Sequence, residues 1–205
     1  MRVALAGCGF WSSFQIAGWR EIPGVEVVAV QSRNPDRVAA TQQRFAIPRA
    51  TTNLDELLSD GGFDVLDVCS DVPGHLPTVL AAAEHRVPVI CQKPMAGSWE
   101  DCCAMVEACR RAEVWLAVHE NWRFQSPFRA IKDLLDRGRI GRLFRVRLSF
   151  CCSFPVYDNQ PSLAAAEKFI ISDIGSHILD CARYFGGEAE SLFAATCRAN
   201  PRIRG

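Results

Sequence analysis

The sequence predicts an α/β protein. A doubly wound parallel sheet is expected over residues 1–122, and the start of an α+β domain with an incomplete, mostly antiparallel sheet over 123–205. Three observations carry this. Short apolar runs alternate with capped, amphipathic segments up to about residue 118, the pattern of parallel strands joined by helices. The first run ends in Gly7-Cys8-Gly9, a glycine turn at a strand-to-helix junction. After Arg123 the pattern changes to one amphipathic helix and then a segment alternating polar and apolar residues, typical of a strand buried on one face only.

The first element is the run Arg2–Ala6, leading into Gly7-Cys8-Gly9-Phe10-Trp11-Ser12. Gly7 permits the tight turn, Gly9 lets the backbone approach a pyrophosphate, and a helix beginning near Phe10 offers its first amides to that anion. The third fingerprint position holds Ser12 instead of Gly or Ala. The second strand, Val25–Val30, ends at Ser32-Arg33, where an NAD-specific site places an acid on the ribose 2′-hydroxyl. A hydroxyl and a guanidinium there suit a 2′-phosphate, so NADP is expected over NAD.

Asn34-Pro35 caps and starts the next helix, which runs to about Phe45. Asn53 and Glu56 resemble a capping box for a short helix that Gly61-Gly62 ends. Strands are expected at 63–69, 87–91 and 114–118, with helices at 76–86 and 99–112 between them. Gly7–Ser12, Ser32-Arg33, Ser70–His75, Gln92-Lys93-Pro94 and His119–Arg123 then fall at strand carboxyl ends, where such sheets bind ligands.

In the second part, Pro127–Arg137 reads as a helix with Phe128, Ile131, Leu134 and Leu135 on one face. Leu143–Phe150 and Ser191–Thr196 read as strands. Between them lies Asp173-Ile-Gly-Ser-His177-Ile-Leu-Asp180. Ser172 is placed to cap this helix, with Asp173 in its first turn. Asp173 and His177 are four residues apart and share a face, so a carboxylate can set the imidazole's tautomer for general-base work. Lys93 adds a cation able to polarise a substrate oxygen. Asp173, His177 and Asp180 could in principle share a metal, but no soft ligand accompanies them and no metal is expected. His85 is read as a helix-end residue, and His119 as a packing residue.

Composition narrows the function classes. The 205 residues are 49% hydrophobic and 22% charged, enough for a proper core. Lys+Arg and Asp+Glu are both 23, which argues against nucleic-acid or membrane-surface partners. No apolar run approaches the roughly 20 residues of a bilayer span. The first strand starts at Arg2 with no charged leader, so the cytoplasm is the expected compartment. The ten cysteines include two adjacent pairs and no C-x-x-C, and are expected to be reduced.

Taken together, Gly7-Cys8-Gly9, Ser70–His75, Gln92-Lys93-Pro94, Asn121-Trp-Arg-Phe124 and Asp173-x-Gly-x-His177-x-x-Asp180 resemble the glucose–fructose oxidoreductase / inositol dehydrogenase (Gfo/Idh/MocA) family. The resemblance implies a Rossmann domain joined to a large, open, mostly antiparallel sheet. It implies that Lys93, Asp173 and His177 serve hydride transfer between nicotinamide and a carbinol carbon of a sugar, cyclitol or related polyol. The implied dinucleotide-binding set is Gly7, Gly9, Phe10, Trp11, Ser32, Arg33, Ser70, His75, Gln92, Lys93 and Arg123. Homo-oligomers of the full-length form are implied as well.

Two departures stand out. Gln92 replaces the family's Glu beside Lys93, and only two strand-like segments (142–152 and 190–198) precede the last residue. A longer parent chain is expected on that ground. The competing expectation is a cofactor-binding module on the same fold without turnover.

Overall fold

In the computed structural model, which describes residues 1–153, 155, 158, 160–198, 200 and 204, the chain divides into two units, Met1–His119 and Glu120–Gly205. The division falls three residues before the expected boundary. The first unit holds six strands: β1 (Arg2–Ala6), β2 (Glu26–Gln31), β3 (Arg49–Thr51), β4 (Val65–Val68), β5 (Val89–Cys91) and β6 (Leu116–Val118). All pairings are parallel, in the order β3-β2-β1-β4-β5-β6. Strand order reverses between β1 and β4, so the crevice of a doubly wound fold lies at their carboxyl ends.

The period-two alternation of β1 divides the core. Val3 and Leu5 join Ile16, Val27, Val30 and Val38 on one face of the sheet. Ala4 and Ala6 join Leu57, Leu66, Val79 and Met105 on the other. Burial of each such Val or Leu contributes about 1.5–3 kcal/mol against leaving it exposed.

Five helices cover these faces: α1 (Ser12–Arg20), α2 (Pro35–Phe45), α3 (Leu54–Asp60), α4 (Val72–Glu84) and α5 (Trp99–Arg111). The expected caps of α2 and α3 form. The Asn34 side chain accepts from the Arg37 amide, and the Asn53 side chain accepts from those of Asp55 and Glu56. The reciprocal half of the capping box is relayed. Glu56 accepts the Thr51 hydroxyl at 2.6 Å, and the Asn53 amide donates to Thr51 Oγ1. Strand β3 was not anticipated, because three residues after Pro48 carry no readable alternation.

The second unit opens with a 3-10 turn at Trp122–Phe124, followed by α6 (Ser126–Asp136) and the short α7 (Pro161–Ala165). A π-helical turn, Ile171–Gly175, then leads without a break into α8 (Ser176–Gly186), and Gly187 takes φ +86 at its end. Among the described residues no helix is long and apolar enough to cross a membrane.

Two expectations are corrected here. Segments 143–150 and 191–196 are not strands: no ladder forms there among the described residues. Alternation defines the faces of a strand, but a strand also needs a hydrogen-bonded neighbour. Without one, Phe144 and Phe193 stay 91% and 92% exposed. Ser172 does not cap the His177 helix either. Helical residues begin at 169, and the Ser172 amide already donates to the Lys168 carbonyl at 2.8 Å. Asp173 therefore lies inside the helical run, within its π turn.

Candidate active site

At the end of β1, Gly7 adopts φ +118, and a Cβ there would lie 2.5 Å from the Ser70 amide nitrogen and 2.6 Å from the Cys69 carbonyl carbon. Only glycine lets the β1 turn and the loop after β4 approach this closely. Gly9 is different: a Cβ would meet nothing within 4 Å. Its open backbone face precedes α1, which turns the positive end of its dipole this way, although the Ser12, Phe14 and Gln15 amides already donate to the Gly9 and Trp11 carbonyls. The Ser12 hydroxyl donates to the Gly9 carbonyl at 2.6 Å, so the residue in the third fingerprint position is folded into the turn. The exposed rings of Phe10 and Trp11 flank it, 5.4 Å apart. A dinucleotide pyrophosphate fits this open glycine face.

Beyond β2, the Arg33 guanidinium lies 3.2 Å from Asp71 Oδ1, both side chains largely exposed. Arg33 is thus already shared with a carboxylate from the loop after β4. His75 is fully buried. Its Nδ1 lies 3.1 Å from the Pro94 carbonyl and 3.2 Å from that of Met95, and its Nε2 lies 3.1 Å from the Ser70 carbonyl. The ring ties the loop after β4 to the loop after β5. Lys93 opens that second loop at a cis Lys93–Pro94 bond, and its amide donates to Gln92 Oε1 at 2.9 Å. Gln92 therefore keeps the acceptor that a glutamate would offer and loses only the charge.

Beneath this edge, Asp67 of β4 is completely buried. Trp19 Nε1–H donates to it at 2.7 Å and the Gln15 amide at 3.0 Å. His119 Nε2 lies 3.1 Å from the same Gln15 nitrogen. Desolvation holds the Asp67 carboxyl above its ordinary range, against the lowering pull of the Trp19 bond and of His119. Burial likewise pushes the Cys91 thiol up to about 12 and raises those of Cys8 and Cys69. These thiols are packing groups and not nucleophiles.

In the second unit, the carboxylate on His177 Nδ1 is that of Glu120, at 2.6 Å. The Trp122 indole stacks on the His177 ring, with centroids 4.8 Å apart and planes 2° from parallel. Arg123 Nε–H donates to Asp180 Oδ2 at 2.7 Å, and its guanidinium lies over the Tyr184 ring. Hydrogen bonding to Asp180 raises the Arg123 pKa. Asp180, a member of the conceivable metal triplet, is thereby engaged by a guanidinium. Glu120 was missed as a site residue. It lies 57 residues from His177 in sequence, and no local spacing announces such a pair.

Comparison with known proteins places this geometry. Residues 1–120 match the model of the GFO_IDH_MocA oxidoreductase family, NAD-binding Rossmann fold, and residues 128–204 match a GFO/IDH/MocA C-terminal domain. A D-apiose dehydrogenase from Rhizobium rhizogenes is 43% identical over the whole chain, which covers 59% of that protein. A myo-inositol 2-dehydrogenase from Thermotoga maritima is 27% identical over 95% of the chain, covering 58% of that protein. The crystal structure of an oxidoreductase from Agrobacterium radiobacter, in complex with NAD+, L-tartaric acid and magnesium, superposes with a TM-score of 0.97 at 43% identity. The match covers all of this chain and 60% of that one. The chain thus spans about three fifths of the length of these relatives.

Proposed function

This chain belongs to the GFO/IDH/MocA oxidoreductase family, and from that premise we propose that it serves NAD(P)-dependent oxidation or reduction at a CH–OH carbon of a sugar, cyclitol or related polyol. The observation that supports this best is the presence in one chain of two built features. One is an open glycine turn at the switch point of a parallel sheet; the other is a buried imidazole held by a carboxylate. The nicotinamide supplies the hydride acceptor or donor when bound. The chain's own residues do the rest. Gly7 and Gly9 bring the backbone of the β1 turn to the pyrophosphate, with Phe10 and Trp11 beside it. Ser70 and His75 hold the neighbouring loop, and Gln92 orients the backbone of Lys93. His177 takes the proton of the substrate hydroxyl, and Lys93 steadies the charge left on that oxygen. Asp173 belongs to the same helical run and supports this acid–base role.

Ser32 and Arg33 favour a 2′-phosphate, so NADP is the preferred cofactor in this reading. The Arg33–Asp71 pair tempers that preference, because binding NADP must share or break it. Substrates start with D-apiose and myo-inositol, on which the named relatives act.

The test has two stages. Titration with NADH and with NADPH, followed by nicotinamide fluorescence, comes first; saturable binding of either supports the dinucleotide site. Turnover on a panel of aldopentoses, hexoses and inositols comes second. Binding without turnover on any of them would favour a non-catalytic module, and no binding to a folded chain would remove the oxidoreductase reading altogether.

A further inference from the structure

Glu120 belongs to none of the motifs that carry the family resemblance, yet its carboxylate is the group on His177 Nδ1. We propose that Glu120 is the positioning residue for His177, fixing its tautomer and its ring orientation for proton transfer. This rests on the reading of His177 as the proton acceptor of the oxidoreductase reaction.

The geometry is specific. The side chains of His177 and Glu120 are 6% and 18% exposed, so water competes little for their 2.6 Å contact. An ionised carboxylate only accepts, so the bond requires the proton on Nδ1 and leaves the lone pair on Nε2. That is the nitrogen that can take a hydroxyl proton. The Trp122 stack then limits rotation of the ring out of its plane, while the Nδ1–H bond limits rotation within it.

A second contact keeps this arrangement in register. Arg123 reaches Asp180 with the same 57-residue offset that separates Glu120 from His177. Residues 120–123 therefore run alongside α8 with two polar pairs three residues apart and an aromatic stack between them. When Nε2 takes the hydroxyl proton, the O–H bond breaks and an N–H bond forms. The positive charge gained by the ring then lies against Glu120. Among the described residues, other ionisable groups on these elements have partners or surroundings of their own. Asp180 and Arg123 satisfy one another, burial keeps the Cys181 thiol protonated, and Lys132 is paired with Asp136. Asp173 lies one turn earlier in the helical run.

The test uses the full chain labelled with 15N-histidine. Long-range 1H–15N correlation reports the tautomer of each of the four histidines, and the His177 signal is the one lost in His177→Gln. The wild-type neutral ring is expected as the Nδ1–H form, and Glu120→Gln is expected to lose that preference. In turnover, kcat of Glu120→Gln should fall on the order of 10²-fold, the scale of positioned acid–base catalysis, with KM little changed. A wild-type ring protonated on Nε2 alone overturns the proposal, whether or not the variant folds. So does a Glu120→Gln chain with unchanged tautomer and unchanged kcat. If the wild-type chain turns over no sugar, the oxidoreductase reading fails by itself, and the tautomer spectrum still decides whether Glu120 holds the ring.

Discussion

The indole Nε1–H of Trp19 donates to Asp67 Oδ2 at 2.7 Å, from helix α1 to the middle of a strand where every other side chain is apolar. A buried carboxylate costs stability in its charged form, and desolvation raises its pKa here above the ordinary 3.8. The folded state thus binds the Asp67 proton more tightly than the unfolded chain. Its contribution to stability is fully present below the unfolded pKa and is lost as pH rises through the folded one. Urea denaturation of wild type and Asp67→Asn across pH 4–8 should show this, since the amide variant lacks the titration. The stability difference should shift in favour of that variant with rising pH. Asp67→Ala should cost about 1–3 kcal/mol at the acid end, because it strands the Trp19 and Gln15 donors, and that cost should shrink as pH rises.

Gly7 and Gly9 should separate folding from binding. Gly7→Ala forces a side chain into φ +118 and into the Ser70 amide. The backbone conformation alone costs about 1–3 kcal/mol, so the thermal midpoint should fall by several degrees. Gly9→Ala meets open space, so the midpoint should hold within a degree or so while NADH binding weakens about tenfold or more. Calorimetry and fluorescence titration on the same samples check both.

Cofactor choice should turn on Arg33 and Asp71. Arg33→Ala should weaken NADPH by about tenfold, the worth of one charge-assisted bond to a phosphate, and NADH much less. Asp71→Asn frees the guanidinium and should tighten NADPH selectively. Equal loss of both cofactors in Arg33→Ala would show that Arg33 serves adenine alone.

Thiol labelling should follow burial. Cys103, Cys151, Cys152 and Cys197 are exposed and should alkylate first at pH 8. Cys8, Cys69, Cys91, Cys109 and Cys181 are buried and should react only on unfolding. Mass spectrometry of a timed iodoacetamide reaction counts the labels, and early modification of Cys91 would contradict the position of β5.

Much of this was written locally. The alternation of Val3 to Ala6, the Asn34 and Asn53 caps and the glycine turn each depend on residues a few positions apart. The fold class and the alternation of strands and helices in the first unit therefore followed from sequence. The strand reading of 143–150 failed for the complementary reason: an alternating pattern says which face is apolar, not whether a partner strand is there to pair with. Ser172 failed as a cap because the helical run begins upstream, where no capping residue marks its start.

The sequence by itself determined a parallel doubly wound sheet, the glycine turn at the end of its first strand and the family to which its motifs belong. Tertiary structure alone decided which groups meet across distance. It set Asp67 against Trp19 over 48 residues, Arg33 against Asp71 over 38, and Glu120 against His177 over 57. Hydrogen bonds act over about 3 Å, and only the folding of separate elements against one another brings such distant positions within that range.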